Sequence, residues 1–171
     1  PLHKGFYQSG AAHNVPLIDG LGQAKWDAGE LLSFGPNEVA ARQPRYRANA
    51  SAERLLTLDG ESLVDAVKIV TSDGVSHRLG LALQLQGQVE LPAGFEADPQ
   101  FRLNPYWTEA RSMTFGREVR LPVRFGGLRF ELKVEATGPM AGSMKVTLAS
   151  VPDAPPARRE ALYFEVEGRE A

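Results

Sequence analysis

Hydrophobic and polar residues alternate one by one through much of the 171-residue chain. The clearest apolar positions are Val119, Leu121, Val123 and Phe125 and, after Gly126-Gly127, Leu128, Phe130, Leu132 and Val134. Alternation with period two is typical of a strand with one buried face, and two glycines between such runs predict a tight hairpin. A two-residue loop places Phe125 opposite Leu128 and Leu121 opposite Leu132, so all the apolar residues share one face.

The same register brings like charges together on the other face of this hairpin. Arg124 lies opposite Arg129, and Arg120 lies opposite Lys133. Like charges in directly opposed positions destabilise a strand pair. The apolar face must therefore fix the register, with a diagonal carboxylate such as Glu131 relieving the polar face.

A second pair of apolar runs flanks Asp73-Gly74. The apolar positions are Leu63, Val67 and Ile69 before the turn, and Leu79, Leu81, Leu83 and Leu85 after it. A loop of odd length, with Gly74 in a left-handed bulge position, would align these two runs as a hairpin.

Further strands and turns extend the pattern to the whole chain. Asp59-Gly60 marks a turn after the apolar run 55–58, and the last strands predicted are 144–148 and 162–166. No window shows a helical period, so we expect less than a tenth of the residues in helix. The sequence predicts an all-β fold with one domain, residues 1–171, built as an antiparallel β-sandwich of roughly ten strands.

Two segments break the alternation. Residues 92–111 combine prolines with aromatic residues, among them Tyr106 and Trp107. At about 20 residues this segment is long for a loop in a compact domain, and such loops are often functional. Residues 151–159 contain three prolines and predict a loop before the last strand.

Composition excludes several classes of function. The formal net charge is -2, which leaves no basic surplus for binding a nucleic-acid backbone. The chain has no cysteine, which excludes disulfides, thiolate catalysis and thiolate metal sites. No apolar run approaches the ~18 residues that span a bilayer, and no signal peptide is visible. Because the chain starts at Pro1 and enters patterned sequence directly, we interpret it as a fragment of a longer protein.

The segment 12–23 carries the candidate chemistry. It resembles the motif that heparinase II/III-like polysaccharide lyases carry in their β-sandwich domain, in which a His-Asn-Thr or His-Asn-Ser tripeptide precedes an apolar run, an Asp-Gly or Asn-Gly pair and a Gln. The residues that match in order and spacing are His13, Asn14, Asp19, Gly20 and Gln23.

The chain departs from that motif at Val15, where the family usually has a hydroxyl residue. The missing hydroxyl leaves open how Asn14 is oriented. Elsewhere the strand-turn-strand pattern of residues 54–77 suits the family. Pro105-Tyr106-Trp107, with Thr108 and Arg111, resembles its alginate-lyase branch.

The resemblance implies the C-terminal β-sandwich domain of an enzyme that cleaves a uronic-acid-containing polysaccharide by β-elimination. Most of the catalytic groups would lie in an α/α-toroid domain upstream, and the sandwich would form one wall of the cleft for the acidic polysaccharide. The isolated chain is therefore expected to be inactive. The implied location is the periplasm or the exterior of a bacterial cell.

The resemblance also implies that His13 is a zinc ligand in the longer protein, with an Asp and another His that precede it in the chain. A neutral imidazole is a good zinc ligand, but one His cannot hold a metal alone. Zinc is therefore expected in the parent protein and not on this chain by itself. Asn14, Tyr106 and Trp107 are the candidate substrate contacts, since aromatic faces suit the apolar C–H surfaces of sugars.

Structural roles are open for several of these residues. His13 fits a hydrogen-bonded structural histidine as well as a ligand. His77 fits a histidine at the core edge bonded to backbone. Asp65 lies on the face of Val67 if the strand is regular, and a buried carboxylate there needs a partner, most simply an arginine. Trp26, like the aromatic pair at 106–107, fits either a sugar platform or a core position.

A free-standing carbohydrate-binding or interaction sandwich is the alternative for the chain as a whole. Such a module would have a self-contained surface and an aromatic platform. A lyase domain would instead expose a partly apolar face where the toroid docks.

Overall fold

The computed structural model describes residues 2–138 and 143–170 of the chain. Strands make up 59% of the residues and helical turns 5%, which confirms the predicted all-β fold. The N-terminal segment forms a π-helical turn (His3–Tyr7) and a 3-10 turn (Gly10–Ala12). The strands are β1 (Pro16–Ile18), β2 (Glu30–Gly35), β3 (Glu38–Arg47), β4 (Ala50–Asp59), β5 (Ser62–Thr71), β6 (His77–Gln84), β7 (Gln88–Val89), β8 (Glu96–Ala97), β9 (Thr108–Phe115), β10 (Glu118–Phe125), β11 (Leu128–Glu135), β12 (Met144–Pro152) and β13 (Arg158–Gly168).

These strands form three antiparallel sheets. A six-stranded sheet has the order β1-β6-β13-β12-β9-β8, a three-stranded sheet has the order β11-β10-β7, and a four-stranded sheet has the order β2-β3-β4-β5. Ten of the strands are six or more residues long, whereas β1, β7 and β8 have only two or three residues. The predicted number of about ten strands is therefore right for the long strands.

The main core lies between the six-stranded and three-stranded sheets. Fully buried side chains come from both sheets, among them Val146 and Leu162 on one side and Leu121 and Val123 on the other. Alternate residues of β10 and β12 point into this layer, as the period-two pattern predicts for half-buried strands. This packing of sheet on sheet is the sandwich predicted from the sequence.

A second core cluster covers the opposite face of the six-stranded sheet. The N-terminal turns bring Phe6 and Ala11 onto this face, where they meet Leu17 and Tyr163. Phe6 and Leu17 are fully buried. The N-terminal segment is therefore a packed third layer and not a loose terminus.

The four-stranded sheet is a simple meander, because each strand pairs with the next one along the chain. Asp59 ends β4 and Gly60 begins the two-residue turn to β5, so the turn predicted at Asp59-Gly60 is present. Ala52 and Ile69 anchor the sheet in the main core. Most other side chains of the sheet are exposed or half-buried, so the sheet projects from the sandwich.

The β10–β11 hairpin confirms the predicted register residue for residue. Phe125 pairs with Leu128 and Leu121 with Leu132. Arg120 also donates to the carboxylate of Glu131 at 2.7 Å, which is the diagonal contact expected to relieve the like charges.

The predicted hairpin around Asp73-Gly74 is wrong. Gly74 does have the left-handed backbone expected of it, with φ of 82°. However, β5 pairs only with β4 among the named strands, and β6 pairs with β1 and β13 in the six-stranded sheet. The turn at 72–76 passes the chain from one sheet to another, because both strands bury their apolar faces against the main core.

Candidate functional site

His13 lies directly after the 3-10 turn, with its side chain exposed. Its Nε2 donates a hydrogen bond to the carbonyl oxygen of Tyr7 at 2.9 Å. A carbonyl oxygen only accepts, so the neutral ring carries its proton on Nε2 and leaves Nδ1 with a free lone pair. Metal-binding histidines are commonly oriented by such a bond to a backbone carbonyl. The geometry is compatible with both roles left open for His13, a zinc ligand and a hydrogen-bonded structural histidine.

A metal at His13 would take its other ligands from elsewhere. Within residues 2–138 and 143–170, no group of three or more His, Asp or Glu side chains is arranged to hold a metal ion. The structure thus supplies one suitable donor and its orienting carbonyl.

Asn14 is fixed by contacts to two other strands. Its Oδ1 accepts a hydrogen bond from the backbone N–H of Gln84 at 2.6 Å, and its carbonyl oxygen accepts one from Arg54 at 2.5 Å. Val15 packs against the second core cluster. Val15, where the family usually has a hydroxyl residue, therefore adds an apolar contact to this cluster. The Asn14 side chain is oriented by the backbone N–H at the end of β6.

The expected partner of Asp65 is present. Arg54 holds the carboxylate of Asp65 with two hydrogen bonds, of 2.7 Å from Nε and 2.6 Å from Nη2. The same guanidinium donates to the carbonyl oxygen of Asn14. The pKa of Arg54 is raised, mainly by its hydrogen bond to Asp65. Arg54, held by Asp65, thus links the four-stranded sheet to Asn14 in the motif.

Trp107 is a core residue in this structure. The side chain is only 5% exposed, and its Nε1 donates to the carbonyl oxygen of Ala11 at 3.2 Å. Phe101 and the second core cluster pack around it. The faces of this indole are covered and are not available to a sugar.

Tyr106 is half-buried, with its ring centroid 5.8 Å from that of Phe6. Its ring also packs against Gly5, where an added Cβ would lie 3.0 Å from Cε2. The structure therefore brings Tyr106 and Trp107 to the N-terminal segment that carries His13, as packing partners of its two helical turns.

The Asp-Gly pair of the motif closes the other end of β1. Asp19 has a left-handed backbone, and its Oδ1 accepts from the N–H of Arg78 at 3.0 Å. Its Oδ2 lies 2.7 Å from Nδ1 of His77, while Nε2 of His77 lies 3.0 Å from Asp73. His77 thus bonds to two carboxylates, where a bond to backbone was expected.

These carboxylates change the protonation of His77. The hydrogen bonds to Asp19 and then to Asp73 raise the pKa of His77 above its ordinary value. Partial burial raises the pKa of Asp19, but the bonds from His77 and from the N–H of Arg78 outweigh it and lower that pKa overall.

Trp26 stands apart from the motif. Its side chain is 90% exposed, in the segment between β1 and β2. This segment is held along β3, since Gln43 donates to the carbonyl oxygen of Asp27 at 2.9 Å and Arg45 forms an ion pair with its carboxylate at 2.7 Å.

The structure also contains a groove that was not predicted from the sequence. It has a volume of about 820 Å³ and lies where β9, β10, β12 and β13 meet. We call it the arginine groove and define it by six of its lining residues: Arg111, Arg124, Arg158, Arg159, Glu109 and Asp153. They come from distant parts of the chain, and no pattern in the sequence relates them to one another.

Tyr7 joins the motif to the arginine groove. Its carbonyl oxygen accepts the bond from His13, and its hydroxyl donates to the carbonyl oxygen of Asp153 at 2.7 Å. His13 and the groove therefore share a positioning residue.

Across the described parts of the chain, no helix is both long and apolar enough to cross a membrane. No protein-family model matches the chain, and no curated protein matches it in sequence.

Proposed function

We propose that this chain is the β-sandwich domain of a longer polysaccharide lyase that cleaves uronic-acid-containing polysaccharide by β-elimination. In such a reaction the uronate carboxylate is neutralised, a base removes the C5 proton and an acid protonates the leaving oxygen. The sandwich forms one wall of the cleft, an α/α-toroid domain supplies most of the catalytic groups, and the protein works in the periplasm or outside the cell.

The observation that carries this proposal is an exposed apolar face on the four-stranded sheet. Paired residues of antiparallel strands lie on the same face, and the pairs Phe34–Val39 and Leu58–Leu63 share one face here. Phe34 is 81% exposed, and Leu58 and Leu63 are more than half exposed. A contiguous exposed apolar surface typically marks a place where another protein surface docks.

His13 and its neighbours are the chain's contribution to the cleft. The bond from His13 to Tyr7 fixes the ring, and the Arg54–Asn14 contact fixes the strand that follows it. A zinc ion bound there would supply positive charge close to an acidic substrate. His13 would hold it through Nδ1, with the other ligands contributed by the preceding domain.

Replacing His13 tests this role. We expect His13→Ala to lower the zinc content or the turnover of the longer protein by about tenfold or more, as for other disrupted metal shells. In the 171-residue chain the loss of one exposed hydrogen bond should cost about 1 kcal/mol or less. Thermal melting measures the stability, and metal analysis measures the zinc content. The near-ultraviolet absorbance of unsaturated uronate products measures the turnover. Full zinc and full turnover in the variant would show that His13 has no such role.

Docking is tested by a matched pair of substitutions. Phe34→Ser removes an exposed ring from the proposed docking face, and Phe130→Ser removes a half-exposed ring from the three-stranded sheet. In the longer protein, we expect only Phe34→Ser to weaken the contact between the sandwich and the toroid. The weakened contact should appear in thermal melting as two separate transitions, one for each domain. An equal response of both variants would contradict docking on the four-stranded sheet.

A carbohydrate-binding sandwich without catalysis is the second candidate. The observation that favours it is the exposure of Trp26, since a fully accessible indole suits stacking on a sugar ring. Affinity electrophoresis tests this candidate. If polysaccharide in the gel slows the migration of the 171-residue chain and Trp26→Ala abolishes this retention, the result favours the binding module over the lyase domain. Retention that is unchanged in Trp26→Ala would exclude Trp26 as the platform.

A further inference from the structure

We propose that the arginine groove is a binding site for an acidic oligosaccharide, with a sugar carboxylate held by Arg159 and Arg111. This site is separate from His13. The choice of a uronate sugar among carboxylate ligands rests on the proposed function, and the existence of an anion-binding groove does not.

Three of the guanidinium groups in the groove lack a close carboxylate partner among the described residues. Arg158 donates to neutral acceptors: the hydroxyls of Ser150 and Thr108 and the carbonyl oxygens of Ser150 and Tyr106. Arg111 donates to the carbonyl oxygen of Phe95 at 3.3 Å. Arg124, by contrast, is paired with Glu90. Four arginines and three carboxylates, those of Glu109, Asp153 and Glu160, line the groove. The groove therefore offers guanidinium donors among acidic groups and not a large excess of positive charge.

Arg159 is the most constrained of these groups. Its side chain is 21% exposed, and its nearest carboxylate oxygen, on Asp153, lies 3.9 Å from Nη1. Its Nε is buried and has no hydrogen-bond partner in the part of the chain that the structure describes. A buried donor without an acceptor is costly. Because Nε itself is covered, a ligand would reach Arg159 only through the exposed fifth of its side chain, and a carboxylate is the anion that a guanidinium binds with charge-assisted hydrogen bonds.

The backbone of the groove is also irregular at Glu109. Leu148 pairs with Arg111 and Ser150 pairs with Thr108, so one residue of β12 lies opposite two of β9. Glu109 sits in this bulge with φ of 55°, a left-handed conformation that glycine adopts more readily. Bulges and backbone strain of this kind concentrate at binding sites, where they redirect a side chain. The bulge places a carboxylate in the groove beside the arginines.

The mixed lining selects among anionic ligands. Carboxylates of Glu109 and Asp153 beside the arginines disfavour a densely charged phosphate chain. Gln86 and Gln88 also line the groove and offer amide groups to sugar hydroxyls, and the half-exposed ring of Phe125 offers an apolar surface to sugar C–H groups. A ligand with one carboxylate and several hydroxyls per unit matches this combination, and an acidic sugar has both.

Calorimetric titration of the 171-residue chain with two matched ligands tests the site. A β-1,4-linked mannuronate tetrasaccharide carries a carboxylate at each position where β-1,4-mannotetraose carries a hydroxymethyl group. We expect the mannuronate ligand to bind at least about tenfold more tightly, because charge-assisted bonds to arginine are lost with the neutral ligand. Equal affinity for the two ligands would refute recognition of the carboxylate.

Substitutions locate the binding. We expect Arg159→Gln to weaken mannuronate binding by about tenfold and Arg111→Gln by several-fold, with Arg120→Gln unchanged as a control outside the groove. If Arg159→Gln melts at a lower temperature than the unsubstituted chain, its weaker binding could reflect a disturbed fold. The Arg111→Gln and Phe125→Ala variants then test the groove, because both side chains are exposed. Unchanged affinity in the folded groove variants would overturn the proposal, as would no binding of either ligand.

The two proposals fail separately. Binding at the groove without any unsaturated product from the longer protein would refute the lyase assignment and leave the groove as a saccharide site. Lyase activity that persists while the 171-residue chain binds no mannuronate would refute the groove alone.

Discussion

At the scale of single residues, His77 joins the start of β6 and the loop before it to a distant turn. Its two ring nitrogens contact Asp19, in the turn after β1, and Asp73, in the loop after β5. The protonated imidazole donates to both carboxylates at once, which the neutral ring cannot do. The protonated form is therefore the one that stabilises this junction, and both carboxylates favour it.

We expect the stability contributed by His77 to depend on pH. Its folded-state pKa is raised, so the contribution is fully present below the unfolded pKa of about 6.5 and is lost as the pH rises through the folded-state pKa. His77→Gln should therefore lower the melting temperature more at pH 5.5 than at pH 9. The measurement is thermal melting across this range, with His3→Gln as the control. A difference between variant and parent that is the same at every pH would contradict the prediction.

Two tryptophans should differ sharply in their effect on stability. Trp107→Ala empties a buried position and should cost about 3–5 kcal/mol, whereas Trp26→Ala should stay within about 0.5 kcal/mol. Urea unfolding of both variants measures the free energy of unfolding. A small cost for Trp107→Ala would mean that the second core cluster collapses around the missing ring.

The sequence predicted some residue contacts and not others, for physical reasons. Asp65 was expected to need an arginine because a half-buried carboxylate requires a partner, and Arg54 provides it. The contact of His77 with Asp19 was missed because Asp19 lies 58 residues away, and alternation along a strand does not indicate which distant loop faces the end of that strand. Trp107 was left open between core and surface, because a large aromatic residue in an irregular segment fits both.

At the scale of elements, the β10–β11 hairpin depends on the backbone of Gly126. This residue has φ of 57°, and the structure leaves open space where its Cβ would be. Gly126→Ala should therefore destabilise the chain by about 1 kcal/mol through backbone strain alone.

Gly127 provides the matched control for this effect. It lies in the same turn with equally open space, but its φ is not in the left-handed region. Gly127→Ala should leave the free energy of unfolding nearly unchanged in urea titrations. A similar cost for both substitutions would point to a general need for glycine in the turn.

The elements predicted best are those whose pairing is local. The register of β10 with β11 follows from a short turn and two alternating runs, both visible in the sequence. The same reasoning failed for β5 and β6, because alternation specifies a buried face and not the neighbouring strand. β8 was missed because a strand of two residues, Glu96–Ala97, is too short to show a period.

At the scale of the whole molecule, the three sheets should differ in local stability. The six-stranded sheet is packed on both faces, whereas much of the four-stranded sheet is exposed. Backbone amides of residues 38–42 in β3 should therefore exchange with solvent faster than those of residues 146–150 in β12. Hydrogen exchange followed by mass spectrometry resolves these segments. Equal protection would show that the projecting sheet unfolds only with the core.

The candidate site was predictable only in part, because it is assembled from distant segments. The motif at 13–23 is continuous in the chain, so it could be proposed from the sequence as a resemblance. The arginine groove draws Arg111, Arg124 and Arg159 from three strands, and no spacing in the sequence relates them. Its shape follows from the order of strands in the sheets, which sequence alternation does not encode.

The position of β2 at the end of the four-stranded sheet has a consequence for how the chain behaves in concentrated solution. β2 has a neighbour on one side only, and its residues Leu31, Leu32 and Phe34 are exposed. A bare strand edge with apolar side chains and little charge is a template on which further chains add in register, the first step toward a fibril. In the absence of the upstream domain that we propose docks on this sheet, the chain should form such aggregates through β2. This should happen before any other part of the molecule unfolds.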